Sequence, residues 1–505
     1  MAELLTERYA DKIRGTLSCF DRVVITGTIP QIGYADAMCA ELWRRKVRIF
    51  DFTQFAQPLR EEIRCNAERL AQENGLEIEF IKRRRDFRKE QRIKEILRKR
   101  GDHPGLVHIF SAMEPCSSYR PWYNKKTGKL SLRYREAKCL HYYFYFIDER
   151  LGLCYLRVPT WVPFRLQFYF NGHHHLAAKL HEAGIDFALA DNAFIDIEDF
   201  PRAQELADEL TVGALHRQLN RWARIYCPVI EQFKTGYHWS LMQVEYATDI
   251  VFKRQADLRP LYEVLSRTAI HTVKPRNVAT FLSQKLTGNV KAEIGNNFHT
   301  RIEGTRIKHH MGRVSIKMYD KLGIVLRIET TANDVTFFKH RRKVVHRDGR
   351  SSMKVAPMRK TIYSLPALRE LMGAANRRYL EFISALDDPT SGLKDLLKIS
   401  RRVKDPHRRS HRGFNLFDGD DLGLFEAIVA GELMISGFQN RHLRALLPGK
   451  TSGQISRLLK CLRLHGLVKK IGKTYKYYLT KLGQRVVTTA LKLRQLYVIP
   501  ALAHS

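Results

Sequence analysis

The sequence predicts a multidomain α+β protein, and three observations lead to this prediction. The chain has 505 residues, of which 44% are hydrophobic, and this is enough for three or four domains with cores of their own. Short apolar runs alternate with amphipathic stretches in the first hundred or so residues, as they do in α/β layers. Near the C-terminus, three helix patterns precede two short strand patterns and a last helix.

An N-terminal α/β domain is expected over residues 1–116. Apolar runs predict its four strands, at residues 23–25, 47–50, 76–81 and 107–110. Amphipathic patterns predict three helices between them, at residues 34–45, 57–73 and 87–100. The order of these elements suggests a sheet that is layered with helices.

An antiparallel meander is expected next, because aromatic strand patterns alternate with turn signals. The strands are predicted at residues 142–146, 153–158 and 164–170. Their aromatic residues, together with Arg157 and Arg165, either stack on nucleic-acid bases or belong to the core. Residues 173–175 are three histidines, similar to the paired histidines with which rolling-circle nickases hold a metal, but they open a helix pattern.

The middle region, residues 117–397, is expected to form an α+β body with a degenerate internal repeat. Residues 244–253 are loosely matched by residues 328–339, and a duplicated βα unit would explain the match. Four carboxylates stand inside or just after these runs: Glu245, Asp249, Glu329 and Asp334. Carboxylates on strands that face one cleft can hold Mg²⁺ or Mn²⁺ for phosphoryl chemistry, since a hard cation prefers charged oxygens. Alternatively, each carboxylate forms an ion pair with one of the many arginines.

A basic segment over residues 398–416 is expected to be a linker. A helix pattern at residues 365–386 closes the body before it. The segment is rich in basic side chains, namely Arg401, Arg402, Lys404, His407, Arg408, Arg409, His411 and Arg412. Because such a composition does not build a core, the segment is predicted to separate the body from a C-terminal domain.

The C-terminal domain is expected over residues 417–496. Two helices are predicted at residues 422–430 and 439–447, and Thr451 can cap a third at residues 452–465. The third helix carries an apolar stripe of Ile455, Leu458, Leu459 and Leu462. Two short strands at residues 467–471 and 474–479 and a helix at residues 481–496 complete the pattern.

This pattern resembles the winged helix-turn-helix domain of MarR-type regulators. Residues 456–468 match SxxLxxLxxxGLV of that family, and residues 478–483 match the later part of its signature. The resemblance implies that the third helix enters the major groove of DNA and that the strand pair, or wing, reaches a backbone or the minor groove. The side chains expected to contact nucleic acid are Lys450, Thr451, Ser452, Gln454, Arg457, Lys460, Lys473, Tyr475 and Lys476.

A second resemblance concerns residues 315–329, which are similar to the YDK…LRxE signature in replication initiators of rolling-circle plasmids and filamentous phages. Those proteins nick DNA through a tyrosyl phosphodiester, so the resemblance implies Tyr319 as a candidate nucleophile. Strand alternation puts Lys317 and Lys321 on the same face, where they would stabilise a phenolate. We therefore expect the Tyr319 hydroxyl to be exposed in a basic cleft. The alternative is a strand tyrosine that packs in a sheet.

The net charge narrows the function classes. Lys and Arg number 87 against 52 Asp and Glu, which gives a formal charge of +35. Such an excess repels itself inside a compact fold unless polyanions neutralise it, and this favours nucleic acid as a partner. The sequence has no apolar run of about 18 residues and no signal-peptide pattern. We therefore expect a cytoplasmic location and no membrane partner.

These observations lead to three hypotheses about function. In the first, the chain is a DNA-binding replication or strand-nicking protein of a mobile or plasmid-like element, which uses Tyr319 and a carboxylate-held metal. In the second, it is a non-catalytic MarR-like transcriptional regulator whose large body senses a ligand or dimerises. In the third, it binds a structured RNA with the same charge and aromatic residues. The size and charge of the body favour the first.

Overall fold

The chain forms two compact units, Met1–Asp387 and Asp388–Ser505, in a computed structural model. The described residues are 4–82, 87–284, 298–303, 305–346, 348–387, 397–415, 417–430, 433, 437–472, 474–494 and 499. Among these residues, no helix combines the length and the apolar character that crossing a membrane requires. All eight cysteines are free thiols.

A mixed sheet of eleven strands lies at the centre of the first unit, which confirms the α+β class. Its strands are β1 (Ile13–Thr28), β2 (Ile78–Phe80), β3 (Gly105–Asn124), β4 (Lys129–Asp148), β5 (Gly152–Pro159), β6 (Leu166–Asn171), β9 (His238–Phe252), β10 (Phe298–Glu303), β11 (Arg306–Met311), β12 (Val314–Lys321) and β13 (Val325–Ala332). Their order across the sheet is β10-β11-β12-β13-β9-β1-β6-β5-β4-β3-β2. Only β2 and β3 pair in parallel. Two separate hairpins join β7 (Phe187–Ala190) to β8 (Ala193–Ile197) and β14 (Lys339–Val345) to β15 (Ser351–Pro357).

The two faces of this sheet differ in chemistry, because successive side chains of a strand point to opposite faces. Between β1 and β6, Val23 lies opposite Phe170, and both are fully buried. The next pair places Arg22 opposite Asn171 on the other face, which we call the polar face. Tyr169 lies on this polar face as well, two residues from Asn171.

Helices cover the apolar face and build the main core. In chain order the helices of this unit are α1 (Leu5–Arg8), α2 (Ala35–Arg44), α3 (Phe52–Glu73), α4 (Lys89–Arg100), α5 (Gly172–Glu182), α6 (Phe200–Asp208), α7 (Val212–Tyr226), α8 (Gln255–Thr272), α9 (Pro275–Phe281) and α10 (Leu365–Asp387). In α7, the spacing of Leu215, Leu219 and Trp222 forms one apolar stripe. The Trp222 ring stacks on Phe168 of the sheet with 4.8 Å between centroids, so α7 is fixed to the apolar face.

Two smaller clusters cover parts of the polar face. Helices α5 and α6 pack with Leu17 and Val251 at one side. At the other side, α4 packs Ile93 with Phe110 and Tyr143. Between these clusters, several side chains of the central strands remain partly exposed. They include Arg22, Tyr155, Gln167 and Tyr169.

Two expectations for the N-terminal region are wrong. Strand β3 continues through residue 116, and one sheet contains the strands on both sides of it, so residues 1–116 are not a separate domain. Residues 49–51 form a 3₁₀ helix where a strand was expected, and Arg48 donates to Asp51 across this turn at 2.7 Å. A four-residue apolar run does not distinguish the two conformations. The predicted helices are present, as α2, α3 and α4.

Four helices and two strand pairs of the second unit have both ends within its described residues. They are β16 (Val403–Lys404), β17 (Ser410–His411), α11 (Gly419–Ile428), α12 (Asn440–Leu446), α13 (Ser452–Leu464), β18 (Val468–Lys470), β19 (Tyr477–Leu479) and α14 (Lys481–Leu493). Thr451 caps α13, because its hydroxyl accepts from the Gln454 backbone while the Gln454 side chain accepts from the Thr451 backbone. The apolar stripe of α13 lies in the core with Phe425 and Leu443.

The basic segment is part of this second unit, so the expectation of an isolated linker over residues 398–416 is wrong for its described residues. Ile399 and Phe414 are 1% and 2% exposed and lie in the same core as α13. Asp405 accepts from Lys460 of α13 at 2.8 Å. The ring nitrogens of His465 lie 2.8 Å and 3.0 Å from the carbonyl oxygens of Lys398 and Arg412. The segment was predicted to lie outside the core because of its many basic residues, although its two apolar residues, Ile399 and Phe414, are buried.

Candidate functional site

The candidate site lies on the polar face, where β12, β13, β9 and β1 are neighbours. Glu329 of β13 is paired with Ala247 of β9, and Thr331 is paired with Glu245, so the two glutamates share a face. In β1 the register with β9 shifts between Phe20 and Val23. Asp21 lies at this irregularity, and its carboxylate joins the two glutamates.

Three carboxylates form the centre of the site, and we call Asp21, Glu245 and Glu329 the carboxylate cluster. One oxygen of each lies within 4.8 Å of the others. As whole residues, Asp21 and Glu329 are 6% and 1% exposed. The side chain of Glu245 is 12% exposed. Burial raises the pKa of Glu245, and the negative charge of Glu329 adds to this effect. Like charges so close together are stabilised by a cation.

Lys317 of β12 supplies one cation. Its ammonium lies 2.6 Å from Glu329 and 3.3 Å from Glu245. Burial alone lowers the pKa of Lys317, but the two carboxylates outweigh burial and raise it. The Thr331 hydroxyl also lies 3.2 Å from an oxygen of each glutamate. Lys317 and Tyr319 both bond to Glu329, so their side chains share the polar face, but the partners of Lys317 are the two glutamates.

Tyr319 donates its hydroxyl to Glu329 at 2.6 Å. Burial raises the pKa of Tyr319, and the charge of Glu329 raises it further. The structure does not show the expected exposed hydroxyl, because Tyr319 is half-buried on an internal strand and its hydroxyl is bound to Glu329. Lys321 is partly buried, and burial followed by the charge of Arg327 lowers its pKa.

A second polar cluster lies next to the carboxylate cluster and is fully buried. Arg327 donates to both oxygens of Asp249 at 2.6 Å. His173 of α5 lies 3.1 Å from Asp21 and 3.4 Å from Asp249. Asn171 donates to Asp21 at 3.0 Å. These contacts hold Asp21 in place, and its pKa is lowered because His173 and Arg327 outweigh the effect of burial.

Two of the four carboxylates that were expected to bind metal, Asp249 and Asp334, do not belong to the carboxylate cluster. Asp249 is taken up by the bidentate pair with Arg327, since both residues are buried and their charges need each other. Asp334 accepts from Thr336 at the start of a 3₁₀ helix and lies 3.4 Å from Lys360. The internal repeat is also not a duplicated βα unit, because β13 leads into that 3₁₀ helix and the β14–β15 hairpin instead of a helix like α8.

The three histidines at the start of α5 do not converge on one metal position. His173 contacts the two aspartates described above, whereas a ring nitrogen of His175 lies 2.5 Å from the Arg150 carbonyl oxygen. His174 is half-buried, and burial lowers its pKa. Successive helix residues point in different directions, so a triplet that opens a helix separates its rings.

Sequence reasoning missed Asp21 and Arg22. They follow Phe20 and precede Val23 within an apolar strand, and a charged pair at such a place was the available signal. Arg22 is half-exposed at the edge of the carboxylate cluster, 3.8 Å from Glu245. Arg306 is exposed and lies 5.9 Å from the centre of the Tyr319 ring. The accessible edge of the site is therefore positively charged, although its floor is acidic.

The side chains of the second unit that were expected to contact nucleic acid differ from one another in their surroundings. Thr451 and Gln454 form the cap of α13, and Ser452 contacts Asn440 at 3.3 Å, while all three stay exposed. Lys450 pairs with Asp420 at 2.9 Å, and Lys460 pairs with Asp405. Arg457 is exposed on α13, Tyr475 is 78% exposed, and Lys476 lies 5.8 Å from the Tyr478 ring. Lys473 lies outside the described residues.

The donor set of the carboxylate cluster fits a divalent cation. Its three carboxylates and Asp249 carry four negative charges within the buried site, and Lys317 and Arg327 carry two positive charges. Burial lowers the pKa of His173, but its acidic neighbours outweigh burial and raise it, so His173 adds a third positive charge. Carboxylate oxygens are the ligands that Mg²⁺ and Mn²⁺ prefer. Comparison of the chain with protein-family models, with curated proteins and with solved structures found no match.

Proposed function

We propose that this chain is a DNA-binding protein that breaks phosphodiester bonds at the carboxylate cluster, with Mg²⁺ or Mn²⁺ bound there. One observation carries the proposal: carboxylates from three neighbouring strands meet within 4.8 Å on a partly open sheet face. Within the buried site, the four carboxylates of the cluster and Asp249 exceed the three cations Lys317, Arg327 and His173 by one charge. A divalent cation in such a site stabilises the charge that develops on a phosphate during cleavage.

The edge of the site supports a phosphate ligand. Arg22 is half-exposed beside the cluster and Arg306 is exposed near the Tyr319 ring, and a guanidinium can bind two phosphate oxygens at once. The acidic floor alone would repel DNA, so these cations and the metal are needed together. The formal charge of +35 supplies the long-range attraction to a polyanion.

The second unit supports DNA as the form of nucleic acid. Three helices, a short strand pair and a closing helix follow one another in the order typical of a winged helix. We propose that α13 enters the major groove with Arg457 among its base or phosphate contacts, and that Tyr475 contacts the backbone from the wing. The protein would then join target binding to strand cleavage, as a replication or mobile-element protein does.

A second candidate reaction is nicking through a covalent tyrosyl intermediate. The observation that favours it is the 2.6 Å contact between Tyr319 and Glu329, which is the distance expected between a nucleophile and its base. The Tyr319 oxygen would bond to phosphorus, a bond from phosphorus to a sugar oxygen would break, and Glu329 would accept the phenol proton. Because the pKa of Tyr319 is raised, attack would need proton transfer to Glu329 or a nearby metal charge.

Incubation of the full chain with supercoiled and single-stranded circular DNA tests both reactions. Cleavage is expected with Mg²⁺ or Mn²⁺ and not with EDTA. Glu245→Gln should abolish cleavage, since Glu245 is the most accessible member of the cluster, whereas Asp334→Asn is the matched control and should cleave normally. Thermal unfolding of each variant confirms that it is folded.

The outcomes separate the hypotheses. A denaturation-resistant protein–DNA adduct that disappears in Tyr319→Phe identifies tyrosyl chemistry. Cleavage without an adduct identifies direct hydrolysis at the metal. If the wild-type chain binds DNA but cleaves none with any divalent cation, the catalytic proposal fails and the transcriptional regulator becomes the better account.

A further inference from the structure

An aromatic row continues from the carboxylate cluster across the polar face. Tyr169 of β6 and Tyr155 of β5 are paired in register, and their rings stack with 5.0 Å between centroids and an angle of 11°. Both rings are half-buried, so part of each remains accessible. The face that sequence analysis assigned either to base stacking or to the core is therefore neither fully buried nor fully exposed.

Cations flank this row. The Arg22 guanidinium lies 5.6 Å from the centre of the Tyr169 ring, and it is also the residue nearest the accessible edge of the carboxylate cluster. Arg157 is held by Glu114 at 2.7 Å and lies 5.9 Å from the Tyr143 ring. Planar rings with cations at intervals are the combination that binds a nucleic-acid strand without reading its sequence.

The strand register fixes the direction of the row. Along β1 and β6 the paired positions run from Arg22 and Asn171, through Val24 and Tyr169, to Thr26 and Gln167. The last pair lies at a surface cleft that Arg157, Arg165 and Trp161 also line. The row therefore leads from the carboxylate cluster to this cleft over roughly 14 Å, since four strand residues span about 3.4 Å each.

We propose that this row, consisting of Arg22, Tyr169, Tyr155, Gln167 and Arg157, binds an extended single strand of nucleic acid and guides it to the carboxylate cluster. A duplex does not fit this surface, because its base faces are stacked on one another and cannot reach the rings. The inference rests on the proposed function, since it specifies the form of the substrate. DNA and RNA single strands share the required chemistry.

Binding of labelled oligo(dT), oligo(U) and a duplex of equal length to the full chain tests the inference. The measurements are made in EDTA, so they do not depend on cleavage. Tyr169→Leu and Tyr155→Leu keep apolar bulk but remove the flat ring, and each should weaken binding of the single strand about 5- to 100-fold. Tyr169→Phe keeps the ring and should bind like the wild type.

Two further variants make the result specific. Arg22→Gln should flatten the dependence of single-strand affinity on salt by about 0.7 in slope, since one phosphate contact is lost. Tyr134→Leu is the matched control, because Tyr134 is 58% exposed on the same sheet but outside the row. Duplex affinity, assigned above to the second unit, should be unchanged in Tyr155→Leu, Tyr169→Leu and Tyr134→Leu.

Ultraviolet crosslinking of iodouracil-substituted single strands locates the contact directly. Crosslinks are expected on peptides that contain Tyr155 or Tyr169, and the better of oligo(dT) and oligo(U) identifies the sugar that the row prefers. If both leucine variants bind single strands like the wild type, or if all crosslinks map outside the row, the inference is overturned. That result would leave metal-dependent cleavage of duplex DNA intact, whereas absence of cleavage with normal crosslinks would overturn only the proposed reaction.

Discussion

Lys317 occupies a cation position that a divalent metal would compete for. Its ammonium bonds to two of the three clustered carboxylates, and only 10% of its side chain is exposed. Without a metal, the lysine is the main partner of Glu245 and Glu329. A bound metal would also compensate the charges of these two glutamates, so the lysine would be needed less. The same residue therefore stabilises the metal-free fold and limits the affinity for metal.

Lys317→Met is expected to lower the free energy of unfolding of the metal-free protein by about 3 to 5 kcal/mol, because it leaves buried carboxylates unpaired. Mn²⁺ should restore most of the loss, and the apparent affinity for Mn²⁺ should exceed that of the wild type. Denaturant unfolding at a series of Mn²⁺ concentrations measures both effects. Lys321→Met is the control and should show no gain in Mn²⁺ affinity. A variant that is destabilised but gains nothing from Mn²⁺ would show that no metal binds here.

Glu245 makes the stability of the metal-free fold depend on pH. Its folded pKa is raised above the ordinary value of 4.5, so the folded state binds this proton more tightly than the unfolded state does. The stabilising contribution is complete below pH 4.5 and is lost as pH rises through the raised pKa. Bound metal favours the ionised form and should reverse the sign of this dependence.

The expected measurement is the denaturation midpoint as a function of pH, with and without Mn²⁺, in the wild type and in Glu245→Gln. Without Mn²⁺, the wild type should lose stability relative to the variant as pH rises above 4.5. With Mn²⁺, the wild type should gain relative to the variant over the same range. Parallel curves for the two proteins in both conditions would contradict the assignment of Glu245 to a metal site.

At the scale of secondary-structure elements, the basic segment that precedes α11 is a structural part of the second unit. Ile399 and Phe414 enter the core, and Asp405 ties the β16–β17 turn to α13 through Lys460. The exposed cations of the segment are therefore held beside the helix that is proposed to bind DNA. A flexible linker would not hold them there.

A fragment that begins at residue 397 is expected to fold, whereas one that begins at residue 415 should be strongly destabilised. The shorter fragment lacks Ile399 and Phe414, whose burial contributes about 1.5 to 3 kcal/mol each. Thermal unfolding followed by circular dichroism compares the two. Equal melting temperatures would show that the segment is dispensable, as the sequence alone suggested.

Arg457 and Lys460 of α13 should respond differently to substitution. Arg457→Gln should weaken duplex binding and reduce the salt slope by about 0.9 if it contacts a phosphate, because the exposed side chain contributes little to the fold. Lys460→Gln should instead lower the thermal stability of the second unit, since it breaks the contact with Asp405. Fluorescence anisotropy over a salt series and thermal unfolding distinguish the two effects. If both variants lose duplex affinity equally and neither loses thermal stability, both residues contact the DNA.

Local sequence patterns located about half of the described helices and strands but not the whole site. The period of apolar residues located α3 and α13, because each helix buries one stripe. Glu245 and Glu329 were found because each is a carboxylate inside an apolar run. Asp21 is also a carboxylate inside an apolar run, but its position beside the glutamates depends on β1 pairing with β9, and pairing between strands so far apart in sequence leaves no local pattern.

At the scale of the whole molecule, the positive charge outweighs the acidic cluster in long-range interactions. With 87 cationic and 52 anionic side chains, the chain would attract DNA, its proposed partner, before any specific contact forms. Affinity for random duplex DNA should fall about 10³- to 10⁵-fold between 50 and 200 mM salt if six to ten phosphates are neutralised. A filter-binding series measures this slope. Binding that is insensitive to salt would contradict a role for phosphate contacts.

The placement of β1 between β9 and β6 has a consequence for the synthesis of the protein. Asp21 emerges from the ribosome early, but its strand cannot pair on one side until residues 238–252 have been made, and Glu329 follows later still. Contacts of such sequence separation form slowly, and until then β1 presents an unpaired edge that other chains can join. Nascent chains should therefore depend on chaperones. Any product that terminates before β13 would lack one third of the carboxylate cluster, so an incomplete chain cannot carry the complete proposed metal site.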